Sequence, residues 1–238
     1  MTRGTSNLDK GPDHAARGEG QASRPTQLIL VRHGETEGNV NQVWHGALDA
    51  PLTPRGLEQV SATATRLAEL HETHPIDHFY VSPLPRAMST AQAIAAAIGL
   101  EPVIEEGLRE FDLGDWEGRS FRDLREVEDL WGRWEADPSF APPNGESPET
   151  FSARALQTLE MLAARHPHQR ILAVTHGAFI ANVLASWLGQ GGEDWRRFDP
   201  HNCAISILTQ VEGAWCGDLI NDISHLPETA RADYPLDY

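Results

Sequence analysis

Lysine is nearly missing from this chain of 238 residues: Lys10 is the single example, so every other cation among its 19 basic residues is an arginine. Basic residues are also outnumbered, because 35 acidic side chains leave a formal net charge of -16. A field of that sign repels polyanions, which excludes nucleic acid and anionic membrane surfaces as expected partners. Long apolar runs are lacking too; nothing approaches the roughly 20 consecutive residues of a membrane span. Met1 to Asn7 has no apolar centre of the kind a secretory signal carries, so a cytoplasmic location is expected. Cysteine is scarce, with Cys203 and Cys216 in what read as consecutive strands of a hairpin. They could face each other there, but the expected compartment favours free buried thiols. Small anions stay open as ligands, since a few gathered arginines reverse the potential locally and the guanidinium fork suits phosphate or carboxylate.

The even spread of apolar segments after residue 26 points to one domain over residues 27–226. Residues 1–26 are rich in Gly, Ser, Asp and Arg, cannot offset their ordering entropy and are expected to be disordered; residues 227–238 read as a C-terminal tail. Leu28 to Val31 forms a short buried strand. A helix follows with Thr53 as N-cap and Pro54 at its first position, carrying Leu57, Val60, Ala64, Leu67 and Leu70 at helical spacing. Asp77 to Val81 reads as a strand, and Ser82 then opens a helix that holds Arg86 in its first turn and stops at Gly99. A short strand at Pro102 to Ile104 precedes a structured loop, Leu108 to Gly118, and a helical segment from Arg122 to Trp134. The proline-rich loop Pro138 to Pro148 leads into a helix capped by Ser147 that reaches Arg165. A strand at Ile171 to Val174, a helix from Ala178 to Leu188 and a hairpin of Ala204 to Gln210 with Ala214 to Asn221 complete the series. This alternation predicts a three-layer α/β/α sandwich around a mostly parallel mixed sheet.

Two apolar strands break off in the same way, at Arg32-His33-Gly34 and at Thr175-His176-Gly177. Open α/β sheets bind ligands at the carboxyl ends of their strands, so both imidazoles are expected at one edge. Phosphoryl transfer needs a nucleophile, cations around the phosphoryl oxygens and an acid for the departing oxygen. His33 can supply a neutral ring nitrogen. Arg32 and Arg86 can fork onto the oxygens, and a protonated His176 would add a third donor. Glu110, flanked by Leu108, Phe111 and Leu113, is the leading proton donor because apolar surroundings raise a carboxyl pKa.

Read together, Arg32 to Thr36, Ser82 to Ala87, Leu108 to Glu110, Gly114 to Gly118 and Thr175 to Gly177 resemble the histidine phosphatase superfamily, which includes the phosphoglycerate mutases. The match runs in order from about Leu28 to about Leu226. The resemblance implies a phosphoglycerate mutase-like fold, phosphorylation of His33, a phosphate pocket of Arg32, Arg86 and His176, and Glu110 as acid and then base. Asn39 matches a position that touches the phosphate, and His45, Gly46 and Gly177 fall at neighbouring substrate positions. His45 stands where the family usually has Gln. The run from Leu108 to Gly118 is closer to the cofactor-independent phosphatases of broad specificity than to the mutases, and the segment before Asn144 to Ser147 is short. Hydrolysis of small phosphate monoesters, without metal or organic cofactor, is therefore the expected activity, with phosphoglycerate mutase as the alternative and a non-catalytic phospholigand-binding module as a third reading.

Other features carry plainer expectations. A metal site built from His33, His45, His176 and Glu110 has no ligand spacing and two arginines repelling a cation. Arg55 and Arg109 read as structural or solvated ion-pair partners. His71, His74 and His78 read as solvated polar residues, and Trp116, Trp131 and Trp134 as packing that could border a substrate mouth. The expected partner is a small phosphorylated metabolite, and a homodimer is compatible with the sequence.

Overall fold

The computed structural model describes residues 24–189 and 195–231. Within them, β1 (Gln27–Arg32), β2 (His78–Val81), β3 (Val103–Ile104), β4 (Arg170–Thr175), β5 (Ile205–Val211) and β6 (Ala214–Asp222) form one sheet in the order β3-β2-β4-β1-β5-β6. The pairs β3/β2, β2/β4 and β4/β1 are parallel, while β5 runs antiparallel to β1 and to β6. The expected mostly parallel mixed sheet is therefore present, with the hairpin closing one side.

Seven helices accompany it among the described residues: α1 (Glu37–Val40), α2 (Pro54–Thr73), α3 (Pro85–Ile98), α4 (Phe121–Glu126), α5 (Leu130–Ala136), α6 (Pro148–Arg165) and α7 (Gly177–Leu188). Strand residues alternate between two cores, because successive side chains leave a strand on opposite faces. Leu28, Leu30, Ile171 and Ala173 pack with Phe151, Leu159, Phe179 and Val183 of α6 and α7. Ile29, Val31, Leu172 and Val174 pack with Ala64, Leu67, Ala91 and Ile94 of α2 and α3. A sheet buried on both faces and covered by helices on each is the three-layer sandwich that the alternating pattern predicts.

Local signals place the helix starts. Thr53 accepts the Gly56 N–H at 2.9 Å ahead of Pro54, and Ser147 and Thr150 form a reciprocal capping box ahead of Pro148. Gly99 ends α3 in the left-handed region, φ 70°.

Several expectations need correction. The segment read as one helix from Arg122 to Trp134 is broken, because Asp129 turns left-handed at φ 49° between α4 and α5. Leu57 matches the helical spacing yet is exposed. The one-turn helix α1 is too short to carry a periodic pattern. Packed structure also passes both proposed domain boundaries: Thr26 is buried and its hydroxyl accepts the His168 N–H, and Ala230 is buried with its carbonyl accepting from Gln59 Nε2. The expected disorder of residues 1–23 lies outside the described residues. Cys203 sits in a left-handed turn before β5 rather than in the hairpin, and both thiols are free, one buried and one exposed.

Candidate active site

The parallel register assembles the site. Arg32 pairs with Thr175 across β1 and β4, and Val81 pairs with Val174 across β2 and β4. Consequently His33, His176 and Ser82, each just beyond its strand, emerge side by side at the carboxyl edge.

His33 is almost fully enclosed, 2% exposed. Its backbone N–H donates to Thr175 O at 3.0 Å, and its carbonyl accepts from Asn202 Nδ2 at 3.0 Å, so the main chain is held from both sides. In the ring, Nδ1 lies 2.8 Å from Gly34 O. A carbonyl only accepts, so Nδ1 carries the proton. Nε2 is left with its lone pair, which accepts from Arg86 Nε at 3.2 Å. Burial, reinforced by the Arg86 and Arg32 charges, holds the imidazole pKa well below its usual value, so the ring is neutral.

Arg86, at the second position of α3, is buried and spends its guanidinium on three partners: His33 Nε2, Gly46 O at 2.8 Å and Leu48 O at 2.8 Å. Burial lowers its pKa to about 10, leaving it cationic at neutral pH. Gly46, expected at a substrate position, acts here through its carbonyl on Arg86. Arg32 donates from Nη1 to Pro200 O at 2.6 Å, with Asp199 at 3.9 Å, while its buried Nε has no hydrogen-bond partner. Gly177 allows this placement: a Cβ there would sit 3.1 Å from Arg32 Cζ.

His176 is fully buried, with its ring centroid 5.3 Å from that of His33. The sequence offers it as a third donor on the condition that it is protonated. Burial and the Arg86 charge instead hold its pKa well below the usual range, so in the free site it is neutral. Its Nε2 contacts Ser82 Oγ at 2.7 Å, and its buried Nδ1 has no partner.

Glu110 reaches the amino end of α7. Its carboxyl accepts from the N–H groups of Ala178 and Phe179, both at 3.1 Å, and from that of Phe111 at 3.0 Å. Those donors and the guanidinium charges favour the ionised form, but burial outweighs them and raises the pKa above the usual carboxylate range.

Asn39 Oδ1 accepts from Thr36 N–H at 3.0 Å and from Asn202 at 3.2 Å, which closes the capping box of α1 and leaves the NH2 end to offer the pocket. His45 is half-buried, with Nδ1 donating to Val43 O at 2.9 Å and Nε2 facing Thr36 Oγ1 at 3.0 Å. Gly38 makes room for this ring, since a Cβ would approach its Nδ1 to 2.6 Å. Burial and Arg86 lower the His45 pKa to about 4.

Arg32, His33, Asn39, His45, Arg86, Glu110 and Gly177 line one pocket of ≈ 60 Å³. The arrangement offers a neutral nucleophilic nitrogen, two fixed cations and a carboxyl with a raised pKa, which is the equipment for moving a phosphoryl group. Among the described residues no cluster of three His, Cys, Asp or Glu could hold a metal ion. Among those residues, too, no helix is long and apolar enough to cross a membrane.

Sequence reasoning left Asn202 and Ser82 without roles. Asn202 carries no local signal, and Ser82 stood inside a recognised motif without one. Glu35, in the first motif, is buried and accepts from Thr53 Oγ1 at 2.5 Å, tying the His33 loop to the start of α2. Arg55 pairs with Glu35 at 3.3 Å, and Arg109 with Glu106 at 3.5 Å on the surface, as structural readings expect. Of the three histidines read as solvated, His74 is exposed, whereas His71 Nδ1 accepts the Ile76 N–H and His78 stacks on His166 at 3.5 Å, both half-buried.

The chain is 35% identical over 211 residues to a protein of Escherichia coli named probable phosphoglycerate mutase GpmB, covering 86% of this chain and 96% of that one. Among solved structures, the phosphoserine phosphatase of Entamoeba histolytica superposes with a TM-score of 0.75 at 30% identity, over 85% of this chain and 100% of that one. The α-ribazole phosphatase of Shigella flexneri gives 0.70 at 30% identity, over 82% and 96%. The family model for the histidine phosphatase superfamily, branch 1, matches residues 28–223, and the chain belongs to that superfamily.

Proposed function

We propose that this protein is a phosphomonoesterase that hydrolyses small phosphate monoesters through a phosphohistidine on His33. In the first step His33 Nε2 attacks phosphorus in line, the bond from phosphorus to the alcohol oxygen breaks, and Glu110 gives its proton to that oxygen. In the second step the Glu110 carboxylate takes a proton from water, the hydroxide formed attacks phosphorus, and the electron pair of the P–N bond returns to Nε2. Arg32, Arg86 and the Nδ1–H of His176 neutralise the equatorial oxygens, and Asn39 adds an amide donor. Neither step calls for a metal or an organic cofactor.

The observation that carries this reading is the tautomer of His33. With Nδ1–H fixed on Gly34 O, the lone pair belongs to Nε2, inside the pocket that Glu110 and both arginines line. Chemical trapping tests it. A short incubation with a labelled aryl phosphate, quenched in alkali, is expected to yield an acid-labile phosphohistidine that His33→Ala abolishes. Label on another residue, or turnover that a chelator stops, overturns the proposal.

The name of the Escherichia coli relative supports a second reading, phosphoglycerate mutase. It shares the phosphoenzyme and differs in where the phosphoryl group goes. Incubation with 3-phosphoglycerate separates the two by whether an isomer or free phosphate appears.

A further inference from the structure

The phosphate pocket is contiguous with a larger cavity of ≈ 590 Å³, since Trp44, Ala178 and Trp195 line both. That size lies in the range of small-molecule sites. Its walls are aromatic. Phe111 stacks on Trp134 with ring centroids 4.9 Å apart and on Phe151 at 4.4 Å, and Trp131 meets Trp134 edge-on at 6.3 Å. These rings come from separate elements, the loop after β3, α5 and α6, and they brace one another, so the wall is rigid.

Charge in the cavity is balanced. Among the described residues, Glu135 and Arg196 are its charged lining residues, and they face each other at 4.0 Å. Residues 190–194, next to the Trp195 turn in sequence, are Gln, Gly, Gly, Glu and Asp and contain no cation. A carboxylate on the departing alcohol would therefore find no unpaired cation among the described lining residues, while losing water to an apolar wall. Three buried polar atoms of the described lining residues lack a hydrogen-bond partner: the indole nitrogens of Trp131 and Trp134, which are donors, and Asn182 Oδ1, the acceptor among them. Asn182, one turn along α7 from Ala178, lines the cavity, and its buried Oδ1 accepts no hydrogen bond.

We propose that the alcohol released from His33 is an uncharged, flat aromatic or heteroaromatic group seated against this wall, with a hydrogen-bond donor directed to Asn182. This rests on the phosphomonoesterase reading and names its substrate class. Packing against the indoles that line the cavity, with Phe111 bracing them from behind, selects flat rings, and the paired charges at Glu135 and Arg196 disfavour phosphoglycerate and phosphoserine.

Esters of primary alcohols test it, because their leaving groups are matched in reactivity. With the full chain, kcat/KM for 2-(2-naphthyl)ethyl phosphate is expected to exceed that for ethyl phosphate and for 3-phosphoglycerate by at least ~100-fold. For 2-(indol-3-yl)ethyl phosphate, whose ring carries an N–H, it is expected to be a further ~10-fold higher. Asn182→Ala should bring the indolyl-to-naphthyl ratio near one. Trp134→Leu should shrink the naphthyl-to-ethyl ratio, a comparison within one variant that is independent of how much protein folds. Equal turnover of naphthylethyl and ethyl phosphate, or a preference for 3-phosphoglycerate, overturns the substrate class and leaves the phosphatase reading standing. Failure to hydrolyse any ester, with no phosphohistidine trapped, overturns both.

Discussion

Ser82 Oγ lies 2.7 Å from His176 Nε2, and this contact sets which nitrogen of the second histidine bears the proton. The Leu84 N–H occupies one lone pair of Ser82 Oγ at 3.4 Å, and of the two arrangements left with Nε2 the one that suits the proposed chemistry has the hydroxyl donating. The neutral imidazole then carries its proton on Nδ1, the buried nitrogen without a protein partner. In the proposed mechanism a neutral histidine so oriented would donate to a phosphoryl oxygen without needing a charge, which its lowered pKa denies it.

Replacing Ser82 by Ala should free that tautomer. The expected result is a fall in kcat/KM of at least ~10-fold, part of what the outright loss of a charge-stabilising donor costs. Nitrogen-15 NMR of the imidazole gives the decisive readout: the Nδ1–H form should dominate in the parent and lose its dominance in the variant. An unchanged tautomer ratio would disprove the role.

Asn202 links His33 O to Asn39 Oδ1, so Asn202→Ala should loosen both the His33 backbone and the cap of α1. Two acceptors lose a donor in a buried place, worth roughly 1–3 kcal/mol in denaturant unfolding. Asn202→Asp should be worse, because it sets a carboxylate against two oxygens. Stability equal to the parent in both variants would show that the bridge carries no weight.

The pH dependence of stability has a component at His45. Its pKa is 6.5 when unfolded and about 4 when folded, so between those values the unfolded chain binds more protons and stability falls as pH drops. Above that window both states are neutral and the group contributes nothing. One such group accounts for at most ~1.4 kcal/mol per pH unit. Urea unfolding at pH 7 and pH 5 should therefore show a smaller difference in His45→Gln than in the parent; an equal or larger difference would count against the neutral, buried imidazole.

Glu110→Gln should damage alkyl phosphates far more than aryl phosphates, whose departing oxygens need little protonation. In the parent, the first step should also slow as pH rises through the raised pKa of Glu110, and that alkaline limb should vanish in the variant. Equal losses on both ester classes would remove Glu110 from the acid role.

The order of strands and helices could be read from the chain with few errors, because the signals are local. Thr53 with Pro54, Ser147 with Pro148, and Gly99 each announce an end through the residues beside them. The errors share a cause. Asp129 interrupts an apolar pattern by its backbone angle alone, and Cys203 leaves the hairpin because a left-handed turn tucks it beneath β1, where its N–H donates to Arg32 O. Neither conformation has a strong signal in neighbouring residues.

The sequence by itself determined which residue types stand where apolar strands stop, and hence that imidazoles, guanidiniums and a carboxyl would be available for phosphoryl chemistry. Only the tertiary structure decided how they are used. Parallel pairing across more than a hundred residues sets His33 beside His176, and burial holds the latter neutral in the free site. Ser82 and Asn202 gain their roles through contacts with residues remote in the chain. Proton position and pKa follow from desolvation and from partners brought together by folding, and a linear chain contains neither until the sheet has formed.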